Sequence, residues 1–310
     1  MGAQVYTALF TQATCLGAGL LGFQGVQALR YRSERLNRAS AIIAGVLALA
    51  GIVLFALRLG RPERLFGGFA NLTSGVTLAL YAVVAFVVVC VVVLVMSGRA
   101  EDGSVPSWCG WASLVVAVLL VAGSTCGYLL SARPGGELFA TMALLAGGAL
   151  TMGCAAHLAL ACALGDADAQ TLGRRCLLAC GVLAGVATAA YLGWFSLDTQ
   201  AQAAATKSAF SMSTFMVGGS GGTVAAGERL MVLLSGTSAP LFWGGTVTCG
   251  VVVPVICGAA ALVCGRASGS EIEAARGPRM RALLGVLALV ALVTSLAGGY
   301  ALRLCLVALG

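Results

Sequence analysis

Charge is the scarcest property of this 310-residue sequence: only 9% of its residues are Asp, Glu, Lys or Arg, against roughly 25% in an ordinary soluble domain. With 60% hydrophobic residues and a mean hydropathy of +1.00, water is excluded as the solvent for most of its surface. Histidine is nearly missing too, since His157 is the only one. A haem held by two histidines therefore cannot be built, and no Ser-His-Asp set is evident. His157 with Met152 offers a haem pair in principle. A lone intramembrane His hydrogen-bonded to a neighbouring helix is the plainer expectation. No C-x-x-C pair occurs among the twelve cysteines, which argues against an iron–sulfur or zinc site of that spacing. Nearly all of them sit in apolar runs, where a free Cys packs as a small apolar residue, and Cys176 with Cys180 at i, i+4 is read the same way. Carboxylates are almost absent from those runs, which weakens proton-pump and ion-coupled readings.

What the sequence has in abundance is uncharged apolar runs of about the twenty residues that a helix needs to cross a bilayer. Eight are present, near 6–29, 39–57, 75–97, 108–130, 138–164, 175–195, 241–265 and 282–308. They predict an all-α integral membrane protein of eight transmembrane helices, arranged as two four-helix bundles over 1–130 and 131–310. The first run is preceded by neutral residues and exceeds a signal-peptide core, so it is expected to stay in the mature chain. The lipid-anchor signal of myristoylation is absent, with Tyr6 at its Ser/Thr position.

A net charge of +7 would suggest nucleic acid for a soluble protein, but these cations flank apolar spans and are read as topology signals instead. Arg30, Arg32, Arg35, Arg38, Arg99, Arg174, Arg175, Arg266, Arg276, Arg279 and Arg281 fall on one side. Arg58, Arg61, Arg64, Arg133, Lys207, Arg229 and Arg303 fall on the other. This bias predicts a multi-pass protein of the cell (inner) membrane with both termini outside.

Most connections are short, at 30–38, 98–107, 131–137, 165–174 and 266–280. Two differ and both lie on the outer side of this topology: the charged, Pro-containing connector 58–74 and the long segment 196–240. Long connections more often carry function, so a site or partner surface is expected there. The run Gly218-Gly219-Ser220-Gly221-Gly222 lacks the Lys-Ser/Thr ending and preceding strand of a phosphate loop and reads as a helix break. Small residues such as Gly17, Gly19, Gly22 and Gly25 within spans fit close helix packing.

Polar residues remain at the outer helix ends: Gln12, Arg58, Asn71, Ser74, Glu228 and Arg229, all near one membrane level. A quinone head group needs such a place, because its two carbonyl oxygens take hydrogen-bond donors, its redox chemistry exchanges protons with water and its tail stays in lipid. The competing expectation is that Arg58, Arg61 and Arg64 only anchor helix ends by snorkelling.

Arg58-Leu59-Gly60-Arg61-Pro62-Glu63-Arg64, followed by Asn71-Leu72-Thr73-Ser74, resembles the His-Leu-Gly-x-Pro segment and following Asn/Ser stretch of the DMSO reductase membrane anchor (DmsC) family. Leu9-Phe10-Thr11-Gln12 with Gly17 is similar to that family's opening helix. Gly236 through Pro240-Leu241-Phe242-Trp243-Gly244, with Gly250 and Pro254, resembles the seventh helix of the related NrfD and polysulfide reductase anchors. The motifs cover about a sixth of the chain.

The resemblance implies a subunit that oxidises menaquinol, or another quinol, near the outer face and passes electrons to an iron–sulfur subunit and a molybdopterin catalytic subunit. It implies no haem and no metal in this chain, with membrane lipid and not nucleic acid around it. Quinone-binding residues would be Arg58, Asn71, Ser74, Gln12, Glu63 and Glu228. Arg58 stands where the family has its functional histidine and cannot accept a proton. That task would pass to Glu63 or to a water held by Asn71 and Ser74. The family's acidic residue after the Ser is replaced by Gly75-Val76-Thr77. Two other classes stay open: a small-molecule transporter, and a structural anchor without quinone chemistry.

Overall fold

The structure, a computed structural model, describes residues 2–31, 33–59, 75–99, 105–129, 135–212, 234–236, 238–266 and 277–308. Among the described residues every regular element is a helix. These are α1 (Gly2–Ala28), α2 (Glu34–Leu59), α3 (Gly75–Arg99), α4 (Ser107–Leu129), α5 (Gly135–Leu164), α6 (Ala167–Met212), α7 and α8 (Pro278–Ala308). Helix α7 begins as a π-helix, Leu241–Val252, and continues as an α-helix, Val253–Arg266. Eight helices among the described residues are long and apolar enough to cross a membrane, one on each expected run. Their backbone hydrogen bonds close within the helix, the condition for crossing lipid.

Side-chain exposure agrees with a lipid surround. Val46, Leu49 and Val53 of α2, Val88 and Val91 of α3, and Val286 and Val293 of α8 all point outward, a surface that water would not tolerate. The chain's four tryptophans mark two levels: Trp108 and Trp111 at the start of α4, Trp194 and Trp243 toward the opposite ends of α6 and α7. All four are exposed, as amphipathic rings at membrane–water boundaries are.

Helices α1–α4 pack as a ring in which each touches the next and α4 returns to α1, and α5–α8 form a second ring of the same kind. Helix α1 joins the two by packing on α5 and α8. Lipid supplies no hydrophobic drive for this association, so contact must come from close backbone approach. The sequence provides it with glycine: a methyl group at Gly19 would overlap the Ala149 carbonyl oxygen, and one at Gly298 would overlap the Gly250 backbone. We call the side on which α1 begins and α8 ends the terminal face, and the opposite side, with Arg30, Arg35, Arg38, Arg99 and Arg279, the basic face.

Two expectations need correction around α6. The connection expected over 165–174 is only a two-residue turn, and Arg174 and Arg175 lie within α6 instead of preceding it. Gly165, at φ +79°, ends α5 in the left-handed region that glycine enters freely, and its N–H donates to the Ala161 carbonyl (2.9 Å). Asp166 then caps α6, its Oδ1 accepting the Ala169 N–H at 3.1 Å. At the other end, 196–212 is not loop but a helical continuation of α6. Its Ala-rich sequence Thr199-Gln200-Ala201-Gln202-Ala203-Ala204-Ala205 carries strong helix formers past the end of the apolar run.

Candidate functional site

Helix α1 brings Thr11 and Gln12 against α8, and there they meet Arg303. This arginine is 2% exposed and is the largest fully buried side chain among the described residues. Its position adds to the topological reading: this charge near the end of α8 is turned into the bundle interior. Four hydrogen bonds hold the guanidinium. Nε donates to Thr11 Oγ1 (2.9 Å), Nη2 to the Thr11 carbonyl (3.1 Å), and Nη1 to the Gly299 carbonyl (2.9 Å) and to Gln12 Oε1. The planar fork of Arg suits this role, because its donors reach two helices at once.

Gln12 completes the cluster. Its Nε2 donates to the Leu296 carbonyl (3.1 Å) and to Met152 Sδ (3.1 Å), so one amide ties α1 to both α8 and α5. A thioether is a weak acceptor, which leaves this amide with donor capacity for a better one. Gly299 is required for the arrangement, since a Cβ there would stand 2.9 Å from Gln12 Oε1 and 3.0 Å from Arg303 Nη1.

A cavity of about 30 Å³ lies beside the cluster, between α5, α6, α7 and α8, with Gly299 in its wall. Thr188, Thr246 and Ser295 supply hydroxyls to it, and those of Thr246 and Ser295 have no hydrogen-bond partner among the described residues. It has room for a water and is far too small for a quinone ring. The α7 wall is the π-helical part, where Thr248 Oγ1 bonds the Trp243 carbonyl five residues back (2.8 Å). A second, almost wholly apolar cavity of about 190 Å³ runs between α1, α4 and α5, lined by Gly19, Gly22, Val26, Ala117, Met142 and Leu150 among others.

Of the residues expected at the site, Gln12 is described and lies in the cluster. Arg58 falls in the last turn of α2, whose preceding turn is fixed on α1 by Phe10 and Phe55, with ring centroids 5.1 Å apart. Its backbone thus ends at the terminal face near the start of α1, and its side chain lies outside the described residues. Asn71, Ser74, Glu63 and Glu228 also lie outside the described residues, as do Gly218 to Gly222. Arg303, expected near the end of α8, is the residue whose burial and partners sequence reasoning missed. A signal existed in its neighbours, because Tyr300-Ala301-Leu302-Arg303-Leu304-Cys305 is apolar on both sides and offers the charge no flanking polar boundary.

Among the described residues no group of three or more His, Cys, Asp and Glu side chains gathers to hold a metal. His157 is fully buried on α5, its ring 6.4 Å from Phe23 of α1, and neither ring nitrogen has a hydrogen-bond partner among the described residues. The neighbouring-helix hydrogen bond expected for it is not formed among the described residues. No protein-family model matches the chain, and no curated protein matches it.

Proposed function

We propose that this chain is the membrane anchor of a quinol-oxidising complex: it binds a menaquinol-type quinol toward the terminal face and passes electrons to an iron–sulfur subunit that serves a molybdopterin catalytic subunit. The observation that carries the reading is the Thr11–Gln12–Arg303 cluster, a cation with an underused amide donor inside a lipid-embedded bundle. Intramembrane ionisable residues are costly and mark functional sites by default. A quinone carbonyl is a far better acceptor for Gln12 Nε2 than the Met152 thioether, and the nearby Arg303 charge favours the electron-rich oxygen that forms on it.

Two further features support the reading. Arg58 ends α2 at the same face as this half of α1, in the His-Leu-Gly-like motif. The apolar cavity at Gly19 and Gly22, two to three turns along α1 from Gln12, offers lipid-like lining to an isoprenoid tail. In this reading the terminal face is the outer face, the partner subunits seat there, and the complex belongs to the cell membrane.

The test separates donor from fold. Gln12→Glu keeps an acceptor for Arg303 and removes the Nε2 donor, so the complex should assemble while its KM for a menaquinol analogue rises about tenfold, the worth of one good hydrogen bond. Arg58→Ala should also lower quinol oxidation. If both variants oxidise quinol like the parent, this site is overturned.

A second reading, a small-molecule transporter, is favoured by one observation: a twelve-residue π-helix is rare and such segments gather at functional sites, here beside hydroxyl-lined space. Substrate uptake by the isolated chain in lipid vesicles distinguishes it.

A further inference from the structure

Ten polar side-chain atoms are buried without a hydrogen-bond partner in one region, on the basic-face half of α1, α2, α5 and α6. They belong to Gln24, Gln27, Asn37, Ser40, His157 and Gln170. Each of these residues is at most 1% exposed.

The helix registers bring them together. Along α1 and α2, Phe10 packs on Phe55, Thr14 meets Gly51, and Gly17 meets Ala44 and Leu47. Two turns further in this antiparallel register, Gln24 and Gln27 stand beside Asn37 and Ser40. Helices α1 and α5 run parallel, with Gly19 against Gly153 and Phe23 facing His157. One more turn sets Gln27 beside Ala161, whose carbonyl accepts a hydrogen bond from Gln170 Nε2 (3.1 Å). Leu36, next to Asn37, packs with Ala161 and Ala169 and closes the fourth side. Four carboxamides, a hydroxyl and an imidazole therefore converge where the four helices meet.

Amides and imidazoles buried without partners are strongly disfavoured, and ten such atoms in one place outweigh what packing can offset. Among the described residues the backbone supplies these six side chains with a single partner, the Ala161 carbonyl that accepts from Gln170 Nε2. We infer that these helix ends enclose a hydrated polar chamber, a water-binding site entered from the basic face, that carries water to His157. Seven residues separate His157 from the end of α5, so the chamber reaches about 10 Å into the span. A water chain supplies the donors and acceptors the six side chains need, each water making about three bonds.

Hydration makes His157 a group that exchanges protons with the aqueous phase of the basic face. The charged groups around that opening include Arg30 after α1, Arg35 and the Glu34–Arg38 pair of α2 (2.7 Å), Asp166 of the α5–α6 turn, buried Arg174 of α6, and Arg281 of α8, whose guanidinium lies against Gly165. The inference does not depend on the quinol reading, since it concerns the other half of the membrane.

The single histidine makes the test clean. In the full chain, labelled with ¹⁵N-histidine and reconstituted in lipid bilayers, water-edited solid-state NMR reports one imidazole only. His157 should take up polarisation from water as quickly as a solvated side chain does. In the double variant Gln24→Leu, Asn37→Leu that uptake should be lost. A parent imidazole that takes no polarisation from water, or a folded double variant that keeps it, overturns the chamber.

Discussion

Removing Gln12 should destabilise this protein more than removing the arginine it binds. Gln12→Leu withdraws the side-chain acceptor of Arg303 Nη1 and leaves a charge with fewer partners at a position 2% exposed. Leaving a buried donor without its acceptor costs about 1–3 kcal/mol and more when the donor is charged, and we take ~3 kcal/mol because the guanidinium loses one acceptor while two backbone carbonyls and Thr11 Oγ1 still accept from it. Arg303→Met removes the charge together with its desolvation cost and keeps most of the volume. Its carbonyl partners are already bonded within their helices, so the loss should be only about 1–2 kcal/mol. With the charge gone, Gln12→Leu has little left to disturb. The double variant should lie near Arg303→Met, a coupling of about 2–3 kcal/mol. Reversible unfolding in mixed detergent–lipid micelles, followed by the fluorescence of the four tryptophans, measures each corner of the cycle. Additivity within about 0.5 kcal/mol would refute the reasoning, because independent sites behave that way.

Two smaller predictions follow from the same geometry. Gly19→Ala should separate α1 from α5 and lower stability by several kcal/mol, since its methyl overlaps the Ala149 carbonyl, while Gly148→Ala, with open space at its Cβ, should be neutral or slightly stabilising; thermal unfolding of the two variants side by side decides. Asp166→Ala removes the cap of α6 and should cost about 1 kcal/mol, whereas Asp166→Asn should restore most of it, read by the same unfolding assay.

Helix number and type were legible because the bilayer reads the sequence almost one-dimensionally: an apolar run of sufficient length has one way to satisfy its backbone. The close-packing role of glycine was legible for the same reason. Failures occurred where a second variable entered. The start of α6 was misjudged because Arg174 and Arg175 were taken as boundary charges, yet both lie within the helix and Arg174 is buried. Its far end was misjudged because 196–212 is polar enough to leave the membrane and Ala-rich enough to stay helical, and hydropathy reports only the first property.

The candidate site divided along the same line. Gln12 was singled out from its type and position on the first helix. Its partner was not, because which helix faces α1 is decided by tertiary packing of eight nearly interchangeable apolar surfaces. Arg303 was visible only as a cation near a helix end. The six polar side chains of the basic-face half were likewise dispersed over four helices, with His157 alone remarked in the sequence, and only the registers of α1 with α2 and α5 assemble them.

The central claim, that this chain anchors a quinol-oxidising complex, is tested most directly by affinity purification from native membranes in mild detergent, with mass spectrometry of the partner chains and extracted lipids. The account predicts that an iron–sulfur subunit, a molybdopterin subunit and a quinone copurify with the chain. Recovery of the chain alone and without quinone would contradict it.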